Sequence, residues 1–377
     1  MWIVLEKGKI SVRQFTILVA LYTIGTAILI IPSILAAKAK QDAWISGLLG
    51  LAIGVAMVIF YWKLSERFQY VNLIEILEKC FGKWIGKSVG FLFFVCYVLL
   101  LATFVLRDIG DFMTTVMMVE TPIEAIHIIF LIIVLYGVKL GLEVFTRTME
   151  LFIPWIVLLL VALFLTLLPQ IEVTNILPVF ENGMKPIVQS SFSFLVFPFL
   201  EMVVFLMIIP YVNRPQDTKK AFMLGTIMGG GLLIFISVLT ILVVGPTETA
   251  RSIYPTYDLT KTINIREFFQ RVEALMALIW FITVFVKLLV LTYVSCLGIA
   301  QVFELKEYRI IVLPIGLVLY VLSLSIFPSI SFLIEFTPVY DLYAFLWCAV
   351  FPFVVWLVSL VRGGERNKSG TARTESG

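Results

Sequence analysis

Gly25-Thr26-Ala27-Ile28-Leu29-Ile30-Ile31-Pro32 interrupts the first apolar run of this chain, which extends from Ser11 to about Ala37. A second interruption, Phe197-Pro198-Phe199-Leu200-Glu201, lies in the run from about Ile187 to Pro210. Glycine loosens helical backbone and proline removes an N–H, so each interruption frees polar backbone groups. In lipid such groups are tolerated only where protein or a ligand satisfies them. Each interrupted run opens a block of five hydrophobic segments. Broken helices at corresponding places in two halves are the sequence mark of an inverted-repeat transporter fold with its site at the bilayer midplane. The competing reading is a pair of packing kinks, since Gly and Pro are common in membrane helices.

Composition agrees with a membrane solvent. The 377 residues are 61% hydrophobic and 14% charged, more apolar surface than a water-soluble domain can hide. Met1 to Arg13 lacks the apolar core and cleavage site of a signal peptide, so the first span is expected to direct insertion. Runs near the spanning length of about 20 residues fall at 11–37, 43–63, 88–118, 124–138, 147–168, 187–210, 219–244, 267–300, 308–328 and 338–361. The reading is an all-α polytopic protein of ten transmembrane helices in a five-plus-five inverted repeat, with helices 1 and 6 discontinuous. One domain covers 1–361, its repeats being about 11–168 and 187–361, and a polar tail at 362–377 is expected to be disordered. With the N-terminus in the cytoplasm, nineteen of the 28 Lys and Arg fall in inner segments and seven in outer ones, Arg266 and Arg271 among the latter. That bias predicts both termini inside. Gly137 and Gly141 are expected to end the fourth span early. Residues 64–87 read as an amphipathic inner element and 245–266 as the longest outer loop, each a solvated connector or an interfacial helix.

Unwinding near Gly25–Ile28 and Pro198–Leu200 brings four half-helix ends together. Their N–H groups suit a carboxylate and their carbonyls suit an ammonium or a cation. One site thus matches a zwitterion such as an α-amino acid, with Gly25, Thr26, Ala27 and Ile28 on one side and Phe197, Phe199, Leu200 and Glu201 on the other. Lys287 sits near the centre of the eighth span, where a cation costs about 2.5–3.5 kcal/mol. Thr283 lies one turn away on the same face. Lys287 can replace a bound sodium ion, carry a proton or tie the core to a carboxylate. Glu201 can cap its half-helix, pair with Lys287 or meet a ligand ammonium. Tyr97 is expected to point its hydroxyl into a central cavity. Arg107, Asp108 and Asp111 lie toward the outer end of the third span. Arg107 and Asp111 have i, i+4 spacing, as an interfacial tie or a gate. Glu335 and Asp341 are expected to face water. His127 reads as structural, and Cys80, Cys96, Cys296 and Cys348 have neither metal nor disulfide spacing. No catalytic, phosphate-binding, dinucleotide or metal constellation is found, and no nucleic-acid surface, so neither enzyme nor cofactor is expected.

Over its whole length the chain resembles the amino acid–polyamine–organocation transporter superfamily, and within it the B subunits of spore germinant receptors. The residues that carry the likeness are Gln14-Phe15, then Tyr22-Thr23-Ile24 leading into Gly25–Pro32, and Phe197–Met202 running to Ile209-Pro210-Tyr211. The resemblance implies a nutrient-binding subunit in the spore inner membrane, working with a membrane-bound A subunit and a lipoprotein C subunit. Transporters of the superfamily usually have a second glycine where Ala27 stands, and one near Leu200. The departures predict narrower unwinding. The alternative is a proton-coupled amino acid transporter acting alone, and a third reading is a membrane anchor for partner subunits.

Overall fold

The computed structural model describes residues 5–261 and 273–371. Arg266, Arg271 and the end of the tail, 372–377, lie outside the described residues. Helix α1 (Val12–Ile24) starts at a capping box. The Gln14 amide donates to Ser11 Oγ at 3.1 Å and the Ser11 amide to Gln14 Oε1 at 2.9 Å, which satisfies N–H groups that have no intrahelical acceptor. It ends at Gly25, whose φ of 27° a residue with a Cβ adopts only under strain. Helix α2 (Ala27–Ala39) resumes after that short break, and a 3-10 turn at Lys40–Asp42 leads into α3 (Ala43–Arg67).

The next helices are α4 (Leu73–Phe81) and α5 (Lys83–Leu92), the latter passing through a π-helical stretch, Phe93–Leu99, into α6 (Leu100–Phe112). Then come α7 (Ile123–Leu140), α8 (Leu142–Leu167) and α9 (Met184–Phe194). The second half holds α10 (Thr218–Val244), the short α11 (Pro246–Arg251) and α12 (Pro255–Lys261), α13 (Glu273–Val302), α14 (Val312–Ser325), α15 (Ile330–Phe345) and α16 (Phe351–Thr371). Nine helical runs among the described residues are long and apolar enough to cross a membrane. One of them, Ala27–Arg67, joins α2 and α3 through the Lys40–Asp42 turn, and α1 with 13 residues is too short to be counted alone. Ten spans follow only where α1 and α2 form one broken span and α3 another.

Lipid removes most of the hydrophobic gain from helix association, so close backbone approach at small residues takes its place. Gly225 and Gly229 of α10 press on α1. A Cβ at these positions would stand 2.7 Å from the Thr16 carbonyl oxygen and 2.8 Å from that of Ala20. Gly54 of α3 and Gly230 of α10 leave a slot for the Phe199 ring, which Cβ atoms there would approach to 2.5 and 2.7 Å.

Several expectations are corrected. Only Gly141 ends the fourth span, at φ 94°, while Gly137 lies inside α7 against Leu289. The described part of the outer loop forms two short helices packed on the bundle, not a solvated connector. Thr249, Pro255, Thr256 and Leu259 are buried, α11 and α12 pack on α2, and Thr256 Oγ1 donates to the Ile28 carbonyl at 2.6 Å. Glu335 is exposed, but Asp341 is buried and accepts from Ser193 Oγ at 2.7 Å. The amphipathic inner element is α4, which buries Leu73, Ile74, Ile76, Leu77 and Cys80.

Candidate functional site

Lys287 stands in the middle of α13, with its side chain 1% exposed. Its methylenes run directly over the α1–α2 break: a Cβ on Gly25 would lie 2.6 Å from Lys287 Cδ. The glycine is thus required twice, for its backbone angle and for the space it leaves. The Lys287 ammonium meets Glu201 Oε2 at 2.6 Å and donates to Thr26 Oγ1 at 3.4 Å. It also sits 4.8 Å from the centre of the Phe197 ring and 5.5 Å from that of Tyr22, over their negative faces. The other Glu201 oxygen accepts from the Tyr340 hydroxyl at 2.5 Å. A buried pair of this kind holds only because further donors satisfy the remaining lone pairs.

Helix 6 differs from its expected form. It does not unwind at Pro198–Leu200. After α9 the backbone widens to a π-helix over Leu195–Phe199 and tightens to a 3-10 helix over Leu200–Met207. Pro198 sits inside the widened turn, which accommodates a residue that cannot donate an N–H. Protein hydroxyls reach the carbonyls at and around the register change. Tyr61 OH lies 3.1 Å from the Leu200 carbonyl and 2.7 Å from that of Cys348. Tyr22 OH donates to the Glu201 carbonyl at 3.5 Å, and Thr283 Oγ1 to that of Gly25 at 3.2 Å. The broken backbone is therefore largely spent on protein partners, and the charge at the crossing comes from Lys287 and Glu201.

A cavity of about 410 Å³ reaches this crossing. Thr26, Phe197 and Lys287 line its depth, and exposed Lys38, Arg251 and Ile253 its mouth. The mouth lies at the end of the bundle that the charge bias assigns to the outside. Of the residues expected at a site, Thr26, Phe197 and Lys287 line this space. Glu201 and Thr283 sit immediately behind it as partners of Lys287 and Gly25. Ala27, Ile28 and Leu200 are buried in packing, Phe199 fills its glycine slot, and Tyr97 turns its ring toward Tyr343 and Phe93 instead of into the cavity. Sequence reasoning assigned no role to Tyr340. It is 139 positions from Glu201, and no local pattern marks it. Asp108 adjoins Arg107 in sequence, yet helical geometry turns the two side chains in different directions. Arg107 Nε holds both Asp111 oxygens at 2.9 and 3.0 Å and Nη1 donates to the Ser323 carbonyl, whereas Asp108 lines the cavity. His127 is buried, its Nδ1 2.9 Å from Ser323 Oγ.

At the opposite end of the bundle the N-terminal segment is strapped down. Glu6 accepts from the Gly8 amide at 2.8 Å and from the hydroxyls of Tyr308 and Tyr293 at 3.2 and 3.3 Å. Ile10 pairs with the chain after helix 6, donating to the Tyr211 carbonyl and accepting from the Asn213 amide, both at 2.9 Å.

A family model described as spore germination protein matches residues 9–329. Spore germination protein KB of Bacillus subtilis (strain 168) is 30% identical over 370 residues, 97% of this chain and 98% of that one. Spore germination protein A2 of the same organism is 25% identical over 93% of this chain and 95% of its own. Among solved structures, MhsT in complex with L-phenylalanine superposes with a TM-score of 0.66 at 16% identity, covering 93% of this chain and 89% of MhsT. Mhp1, a nucleobase-cation-symport-1 family transporter, superposes with a TM-score of 0.64 at 13% identity, covering 92% of this chain and 76% of its own. The architecture is thus the helical membrane fold of these transporters.

Proposed function

The chain belongs to the spore germination protein family, and from that premise we propose that it is the nutrient-sensing subunit of a spore germinant receptor. In this reading it has ten spans in two repeats, about 11–168 and 187–361. It lies in the spore inner membrane with both termini on the core side. An A subunit in the membrane and a lipoprotein C subunit read its state. The observation that carries the proposal is the Lys287–Glu201 pair, held across the helix 1 break at the floor of a cavity that leads outward. A ligand arriving there perturbs a contact that joins α13, the α1–α2 break and helix 6. It shifts the receptor only by preferring one arrangement of those elements over another.

The test is germination of spores that lack this gene, scored against single amino acids, sugars and nucleosides. The expected result is loss of response to one nutrient class, restored by the wild-type gene but not by a Gly25→Trp variant of equal membrane abundance. Unchanged germination against every nutrient would sink the proposal. A second reading, a proton-coupled amino acid transporter, is favoured by the same acid–base pair. Uptake of labelled amino acids into vesicles, dependent on an imposed proton gradient, would support it.

A further inference from the structure

The segment 171–184, between α8 and α9, turns its polar groups toward the protein and its apolar side chains away from it. From that inversion we infer that it is a membrane-surface anchor, seating Val173, Leu177, Val179 and Phe180 in the headgroup–acyl boundary of the leaflet at the vestibule end. The inference does not depend on the sensing reading.

The ties that hold the segment are polar. The Glu172 amide and the Asn175 side-chain amide both donate to the Leu242 carbonyl near the end of α10, at 2.9 and 3.1 Å. Gln41 Nε2 donates to the Pro178 carbonyl at 3.0 Å and to Glu181 Oε2 at 2.7 Å. The Phe180 amide donates to both oxygens of the buried Asp42 carboxylate, at 3.0 and 3.1 Å. Ile171 and Ile176 pack on the core. The other apolar side chains do not follow them: Val173, Leu177, Val179 and Phe180 are between 40 and 67% exposed. A loop in water gains by the reverse arrangement, with apolar groups tucked in and polar groups solvated. Phe180 sharpens the contrast. Its φ of 63° lies in the left-handed region, which a bulky residue enters only under strain and a glycine enters freely. Asp42 holds that backbone in place, so strain is accepted to present a half-exposed aromatic ring. Water gives no return for that ring, whereas an apolar surrounding does.

The lipid-facing surface runs into this segment from both sides, and that continuity names the occupant. On α8, Val161, Leu165 and Leu168 are exposed about one turn apart, and on α9 Met184, Val188 and Phe192 repeat the pattern. Both stripes belong to helical runs long and apolar enough to cross a membrane, so the bilayer covers them. The segment extends the same surface past their ends. Glu172, Thr174, Asn182 and Lys185 are exposed among its apolar residues. That mixture and the irregular backbone exclude the hydrocarbon core. They fit the boundary, where apolar side chains reach the acyl chains and polar ones stay with the headgroups. The anchor is joined to the vestibule through the turn Lys40–Asp42, which follows α2. Helix α2 lines the cavity with Ile30, Ser33 and Ile34. A seated Phe180 therefore fixes, through Asp42, the depth at which helix 1 leaves the bundle.

The experiment uses the full-length chain in nanodiscs of phosphatidylglycerol and phosphatidylethanolamine. Cys96→Ala removes the native thiol that is not buried. In that background Val173→Cys, Leu177→Cys and Phe180→Cys each carry a nitroxide. Val161→Cys on α8 is the lipid reference, and Glu248→Cys, exposed on α11, is the water reference. Each nitroxide is scored for collision with oxygen, which concentrates in lipid, and with a nickel chelate, which stays in water. The expected oxygen-to-nickel ratio at all three segment positions is several-fold above that of Glu248→Cys and approaches that of Val161→Cys. Three positions spread along the segment keep one misfolded variant from deciding the result. Adding Asp42→Ala should lower the ratio at Phe180→Cys, because the clamp on its backbone is gone. A ratio equal to that of Glu248→Cys at the three positions would overturn the anchor and give the patch to a protein partner. An unaltered ratio at Phe180→Cys in Asp42→Ala would overturn the link from the bilayer to helix 1.

Discussion

At the residue scale, the molecule turns on one lysine and the glycine beneath it. Lys287 could be recognised in the sequence because a cation at the centre of an apolar span needs a reason to be there. Its partner could only be guessed, since Glu201 lies on another helix. Replacing Lys287 with Met leaves Glu201 buried without a counter-charge. The expected cost is about 3–5 kcal/mol, read as a lower unfolding temperature in detergent. Adding Glu201→Gln should recover most of that loss, because an amide carries no uncompensated charge, while response to nutrient stays absent. A double variant no more stable than the single one would show that the pair is not the main tie. Gly25→Ala should also abolish response. Its Cβ would collide with Lys287 Cδ, and its φ would be strained. Normal response in Gly25→Ala would contradict the close packing of the lysine on the break.

At the element scale, helix 6 shows how a break can be made without unwinding. The chain passes from a wide turn to a tight one, and the hydroxyls of Tyr61 and Tyr22 meet the Leu200 and Glu201 carbonyls at the changeover. Phe199 anchors the changeover in its slot between α3 and α10. Phe199→Ala should cost about 3–5 kcal/mol, as removal of a buried aromatic ring does when the walls cannot collapse. A loss below about 1 kcal/mol would mean that the slot closes, as volume-tolerant sites do. Sequence reading found the location of both interruptions but not their form. Gly and Pro announce irregular backbone, whereas the choice between a gap and a π-to-3-10 change depends on which hydroxyls stand opposite. At the end of α13, Lys83 and Lys87 hold Glu304 at 2.7 and 2.6 Å and depress its carboxyl to about 2. A lowered carboxylate contributes above its unfolded value and loses that contribution only as pH falls toward its folded value. The difference in unfolding temperature between Glu304→Gln and the parent should therefore be flat from about pH 6 to 8. A slope across that window would assign the tie to another group.

At the scale of the whole molecule, a vestibule opens at one end and an N-terminal strap crosses the other. The vestibule leads from Lys38 and Arg251 down to Lys287, while the N-terminal segment straps α13 and the end of helix 6 at the far side. Glu6 is the centre of that strap. Glu6→Ala should loosen it and expose Cys296, a buried thiol on α13 close to the Tyr308 that Glu6 holds. Maleimide labelling of Cys296, quantified by mass spectrometry, is expected to rise over the parent. Equal labelling would show that the strap does not depend on Glu6.

The sequence by itself determined the solvent, the segments and the irregular places. Apolar runs of spanning length, the skew of Lys and Arg, the interruptions at Gly25 and Pro198, and Lys287 at a span centre are all local, and local physics is readable along a chain. Only the tertiary structure decided what those features serve. Gly25 makes room for a lysine from the other half, Phe199 and Tyr97 go to packing, and Tyr340 completes Glu201. Asp108 and Arg107 are adjacent in sequence but face opposite surroundings. Each of these depends on which side chains from distant spans meet at one depth. That is set by how closely small residues such as Gly54, Gly225, Gly229 and Gly230 let the helices approach, a property of the packed bundle and not of any segment alone.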